Sequence, residues 1–204
     1  MQNKIKYYSL WFLLVNVIVF ILQTSFEGFT EMFVLNEMVY PQVWRFVTAI
    51  FLHGSVTHLM YNMFALFFFG FALEKLIGSR KFLLVYFGSG IIANIISINF
   101  YSSSLGASGA IMGVIGALTV IKPLMMVWAF GLILPMFIAA ILWVIGDILG
   151  VFFPSEVGNI AHLSGVGVGL LLGFVLRSYG LRRKMKKIVI PDSYILDWER
   201  RYMG

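Results

Sequence analysis

Cysteine is absent from the 204 residues. That excludes a disulfide framework and every thiolate metal site. Charge is almost as scarce: Asp, Glu, Lys and Arg together make up 12% of the chain, against 60% apolar residues and a mean hydropathy of +0.92. A soluble domain of this length needs a much larger charged share to cover its surface. The first apolar run is not followed by a small-residue cleavage site, so it reads as a retained helix and not as a cleaved signal peptide. Three histidines, His53, His58 and His162, are the remaining metal-ligand types, and no carboxylate pair accompanies them, so no metal or other cofactor is expected.

What the chain does contain is a succession of apolar stretches, several of them long enough for a hydrocarbon core of about 30 Å. Six helices are predicted, over residues 7–23, 57–76, 81–100, 108–121, 124–152 and 159–179. The fourth is short, roughly 21 Å at 1.5 Å per residue. A short helix preceded by irregular backbone is tolerated at membrane depth where protein encloses it or it lines a wet cavity. The expected fold is therefore an all-α, polytopic, six-transmembrane-helix bundle with a short central fourth helix. It is read as one membrane domain over residues 1–180 and a short basic tail over 181–204, with no soluble domain before or after.

Placement of the basic residues sets the orientation. With both termini in the cytoplasm, 14 of the 15 Lys and Arg residues fall on the cytoplasmic side, and Arg45 is the exception. Glu27, Glu31, Glu37 and Glu156 fall outside. The net charge of +6 is thus a topology signal, and nucleic acid is not an expected partner. The location read from this is multi-pass, in the plasma membrane, with membrane lipid as the surrounding partner. The segment 24–57 is too apolar for a solvated linker and too interrupted for a crossing, so it reads as an interfacial element. At its end, Trp44-Arg45 would put an aromatic anchor and a cation near the headgroups.

In this topology helices two, four and six all run from outside to inside. His58 and Asn62 lie near the start of the second, Ser108 begins the fourth, and His162 is in the first turn of the sixth. Three segments thus deliver polar groups to one depth. A hydroxyl with a nearby imidazole is a nucleophile and a base. Orphan N–H groups at the start of the fourth helix, with His58 and Asn62 on one face of the second, are donors for an oxyanion. Gly109, Gly113 and Gly116 stripe the fourth helix, and Gly165, Gly169 and Gly173 stripe the sixth. Such stripes let two backbones approach closely, which would bring Ser108 Oγ within reach of His162. Singly, each feature has a plainer reading: a membrane serine bonded to its own helix, an interfacial histidine, an asparagine as interhelical glue. Asp147 could be read as a third member of a triad, but nothing in the sequence sets it against His162, so the expected site has no aspartate orienter. Glu74, beside Lys75, reads as an ion pair or a loop contact.

Trp44-Arg45, His53, His58-Leu59-Met60-Tyr61-Asn62, Gly106-Ala107-Ser108-Gly109 and Ala161-His162 with Gly165 and Gly169 together resemble the rhomboid intramembrane serine proteases. The resemblance covers residues 43–174 and includes no seventh helix or cytosolic domain. It implies Ser108 as nucleophile, His162 as general base, and His58, Asn62 and the Ser108 backbone N–H as the oxyanion site. It also implies cleavage of single-pass transmembrane proteins near the outer end of their helix. In the same terms Glu74 matches an acidic residue that holds loop ends, and His53 a structural histidine. One departure is Met112, where many bacterial members have a tyrosine stacked on the catalytic histidine. The readings that compete with a protease are an inactive rhomboid-like protein that binds membrane clients and a small transporter or channel with broken helices.

Overall fold

The structure is a computed structural model that describes residues 5–153, 158–184 and 191–203. Lys4, Glu156, Lys186 and Lys187, used above in reading the charge, lie outside the described residues. Helix α1 is Tyr8–Ser25, and a first loop follows it with two short helices, α2 (Phe29–Phe33) and α3 (Arg45–Thr48). Helices α4 (Val56–Ala65) and α5 (Phe71–Ile77) are joined by a wide π turn at Leu66–Gly70 and act as one rod, Val56–Ile77. After them come α6 (Ser79–Ser97), α7 (Ser108–Ile121), α8 (Met136–Phe152), α9 (Asn159–Lys184) and α10 (Asp192–Tyr202).

Four of these are long and apolar enough to cross a membrane: Tyr8–Ser25, Val56–Ile77, Ser79–Ser97 and Asn159–Ser178. Ser108–Ile121 and Met136–Phe152 are apolar but shorter. The fifth predicted helix needs correcting at its start. Residues 124–135 are not helical; they carry a hairpin of β3 (Met126–Ala129) and β4 (Leu132–Pro135). Hydropathy cannot separate an apolar hairpin from an apolar helix. The local chemistry can: Pro123 and Pro135 bracket the segment, and Phe130 and Gly131 both have positive φ, as a two-residue hairpin turn requires.

The core forms where small residues remove the distance between helices. Among the described residues α7 and α9 make the most extensive contact between helices, and both also pack on α6. A methyl group at Gly165 would collide with the backbone of Gly109, and one at Gly169 with the backbone of Gly113. A Cβ at Gly116 would lie 2.6 Å from the Val166 carbonyl oxygen, and one at Gly173 3.0 Å from Cα of Ala117. The glycine stripes read in the sequence are therefore one backbone-to-backbone interface. On the α6 side Ser89 fills the space beside Gly113, and Ala93 sits 2.9 Å from where a Gly109 Cβ would be. Eleven of the fourteen α7 residues are buried, Gly109 to Leu118 and Ile121.

Two polar clusters tie the periphery to this core. Glu74, fully buried, accepts from Tyr8 N, Ser9 N and Ser9 Oγ, each at 2.9 Å, and from Ser79 Oγ at 2.6 Å. One carboxylate thus caps the orphan N–H groups of α1 and binds the α5–α6 junction. Of the two readings for Glu74, the loop contact is the one found; Lys75 lies over the Phe71 ring at 4.3 Å.

The first loop is folded around its own small core of Leu35, Val39 and Ala49. β1 (Leu35–Asn36) pairs with β2 (Ser103–Ser104), and this fastens it to the segment before α7. Arg45 is not a headgroup anchor: it is 5% exposed and donates to Gln42 Oε1 (2.7 Å), Glu31 O (2.8 Å) and Val34 O (2.6 Å). Its fork satisfies loop carbonyls that would otherwise be orphaned, a stronger claim on a guanidinium than the interface has. Trp44 beside it stays exposed.

Candidate functional site

Ser108 is the first residue of α7, and Ala107 caps the helix without a side-chain hydrogen bond. The backbone N–H groups of this first turn are therefore not capped by a side chain of Ala107. Ahead of them Gly106 has φ 125 and donates its N–H to Ala49 O at 2.9 Å. A Cβ at Gly106 would sit 2.8 Å from His58 Cε1, 2.9 Å from His58 Nε2 and 3.7 Å from Ser108 Oγ. Only glycine fits, in conformation and in space, and the imidazole of α4 is thereby laid against the loop that leads into Ser108.

His58 and Asn62 occupy successive turns of α4, and Ser55 caps its start by accepting from His58 N at 3.1 Å. Asn62 is buried, and its amide donates to the His58 carbonyl oxygen at 3.0 Å. An amide has a second N–H, which keeps one donor for a ligand. Behind His58 stands His53, 2% exposed, its ring edge-on to His58 at 5.1 Å between centroids. The backbone of His53 is held on α1: Gln23 accepts from His53 N at 2.9 Å and donates to His53 O at 3.3 Å. Burial and the neighbouring His58 hold the His53 imidazole down to about 4, so it is neutral at physiological pH.

His162 lies in the first turn of α9, whose backbone abuts α7 residue by residue. A Cβ at Gly109 would be 3.6 Å from the Ala161 carbonyl oxygen, and Gly165 meets Gly109. Ser108 and His162 are the immediate neighbours of Gly109 and Ala161, so their turns lie at one level of the α7–α9 interface. Among the described residues no hydrogen bond closes between them.

Hydropathy alone does not set Asp147 against His162, but the structure does. Asp147 of α8, 7% exposed, sets Oδ1 2.9 Å from His162 Nδ1. A usable signal was present in the chain. Asp147 and His162 stand six and four residues from the ends of the 153–158 connection, and two helices joined by a short connection place such residues at one depth. Met112 is buried in the α7 core. Among the described residues no group of three His, Asp or Glu side chains could hold a metal ion. An apolar cavity of about 220 Å³ between α1 and the first loop is lined by none of the residues named here.

Comparison with known proteins identifies the family. The family model of the Rhomboid domain matches residues 40–179. YdcA of Bacillus subtilis (strain 168), which bears a rhomboid protease name, is 38% identical over 136 residues, 65% of this chain and 66% of its own. RHOMBOID-like protein 6, mitochondrial, of Arabidopsis thaliana is 36% identical over 135 residues, 65% of this chain and 43% of its own. Rhomboid protease GluP of Bacillus subtilis (strain 168) is 47% identical over 76 residues, 37% of this chain and 15% of its own. The matched regions span less than two thirds of these relatives. With more than half of the chain inside the family model, this integral membrane protein belongs to the rhomboid family.

Proposed function

We propose that this chain is an intramembrane serine endopeptidase that cleaves single-pass transmembrane proteins near the outer end of their helix. The observation that carries the reading is the α7–α9 interface, in which glycine contacts put the Ser108 and His162 turns side by side at the start of two apolar helices. Ser108 is the nucleophile and His162 the base. The Ser108 Oγ–carbon bond forms at the scissile carbonyl while the hydroxyl proton passes to the imidazole. The peptide C–N bond then breaks, and that proton goes to the leaving amine. Water repeats the sequence on the acyl-enzyme, releasing the acid and restoring Ser108. His58, the free amide N–H of Asn62 and the Ser108 backbone N–H stabilise the oxyanion.

Water reaches this site from the face where α4, α7 and α9 begin, which the positive-inside reading makes the outer face of a plasma membrane with both termini cytoplasmic. An intact substrate helix hides its carbonyls, so residues that weaken it near the scissile bond favour cleavage. The test is labelling of the purified protein by a fluorophosphonate. Labelling lost in Ser108→Ala supports the reading, and no labelling of the wild type would favour an inactive client-binding protein.

A further inference from the structure

We infer that Asp147 is a positioning residue for His162, so that the site works as a Ser108–His162–Asp147 triad inside the membrane. This rests on the reading of His162 as the base. The carboxylate oxygen 2.9 Å from Nδ1 is an acceptor, which fixes the proton of the neutral ring on Nδ1 and leaves Nε2 to accept the proton of Ser108. Asp147 takes up no proton: it remains a carboxylate and balances the imidazolium formed when Ser108 attacks.

Three further observations converge on this role. A buried carboxylate on an apolar helix is costly and persists where it has a partner and a use. α8 contains no other charged residue, and its other buried residues are Met136, Ala139 and Ala140, so nothing else on this helix calls for a charge. Among the described residues the other buried carboxylate, Glu74, has four donors from helix ends and so has a structural task. Finally, the residue one turn after Ser108 is Met112, an apolar thioether with no means of directing an imidazole by hydrogen bonding. A hydrogen bond from α8 supplies the ring orientation that α7 does not.

The experiment compares wild type, Asp147→Asn, Asp147→Glu and Ser108→Ala as full chains in lipid nanodiscs. It measures cleavage of a single-pass test substrate, thermal unfolding, and the ¹⁵N shifts of the imidazoles. With three histidines in the chain, the His162 signals are assigned through variants of the other two. In the wild type the neutral His162 ring carries its proton on Nδ1. In Asp147→Asn kcat falls roughly 10²-fold or more with KM within about twofold and unfolding unchanged. Asn can donate to Nδ1, so the proton moves to Nε2. Asp147→Glu recovers part of kcat. An Asp147→Asn kcat within about threefold of wild type would overturn the inference, because a mere bridge between α8 and α9 survives that exchange. A wild-type ring protonated on Nε2 would overturn it even if the variants fail to fold. Cleavage retained in Ser108→Ala would instead overturn the Ser–His reading beneath it.

Discussion

Gly106 shows how little space the site leaves. Its positive φ and the His58 ring less than 3 Å from an added methyl mean that Gly106→Ala must push the imidazole away or refold the loop. Turnover is expected to fall by about 10²-fold or more, the usual cost of losing one oxyanion donor, with KM little changed. Asn62→Ala is expected to lose about 10²–10³ in rate for the same reason; an unaltered rate would make Asn62 interhelical glue. Glu74→Ala leaves Tyr8 N and Ser9 N without acceptors at a buried helix start. Loss of about 3 kcal/mol or more follows, read as a lower unfolding temperature in detergent. His53 adds a pH dependence. Its folded value near 4 lies below the ordinary 6.5, so its contribution is complete above about 6.5 and is lost as pH falls towards 4. The melting temperature of wild type should drop through that window, and that of His53→Gln should drop less. That Ser108, His162 and His58 stand in the first turn of their helices, with Asn62 one turn further on, could be read from the sequence. The contact of Asp147 was missed because hydropathy reads a single aspartate as an interruption, and its neighbour follows only when the helices flanking the short connection are paired.

The α7–α9 pair is the element on which everything else depends. Gly113, Gly165 and Gly169 have no room for a side chain, since their missing Cβ atoms point into the facing backbone or into Ser89. Gly169→Val should separate the two helices, lower stability by about 3 kcal/mol or more and abolish fluorophosphonate labelling. Gly167→Ala on the same helix has nothing within 4 Å of its added methyl and should preserve both. This interface could be read from spacing alone, because glycines at intervals of three and four have a single face. The β3–β4 hairpin could not. Its exposed Met126, Trp128, Phe130, Leu132 and Ile133 have the same hydropathy as a crossing, and the prolines and the Phe130-Gly131 turn that contradict a helix are local signals inside a long apolar run. The first loop was legible as something other than a linker. Its internal support, with Arg45 on three loop acceptors, was not, because a lone arginine after a tryptophan looks the same at an interface.

For the molecule as a whole, the absence of cysteine turns orientation into a direct measurement. Ser102 and Arg201 are both exposed and lie on segments that the positive-inside reading puts on opposite faces. With a membrane-impermeant maleimide on intact cells, Ser102→Cys should label at once and Arg201→Cys only after permeabilisation; the reverse pattern would invert the topology. The central claim is that Ser108 and His162 hydrolyse a peptide bond inside the membrane, and reconstituted cleavage tests it most directly. The protein is placed in lipid vesicles with a single-pass substrate of known orientation, and the products are mapped by mass spectrometry for wild type, Ser108→Ala, His162→Ala and the double variant. The account predicts one cut near the substrate end that lies level with the start of α7, no cut in either single variant, and no further loss in the double variant. A cut at the opposite end, or cleavage that survives Ser108→Ala, would contradict it.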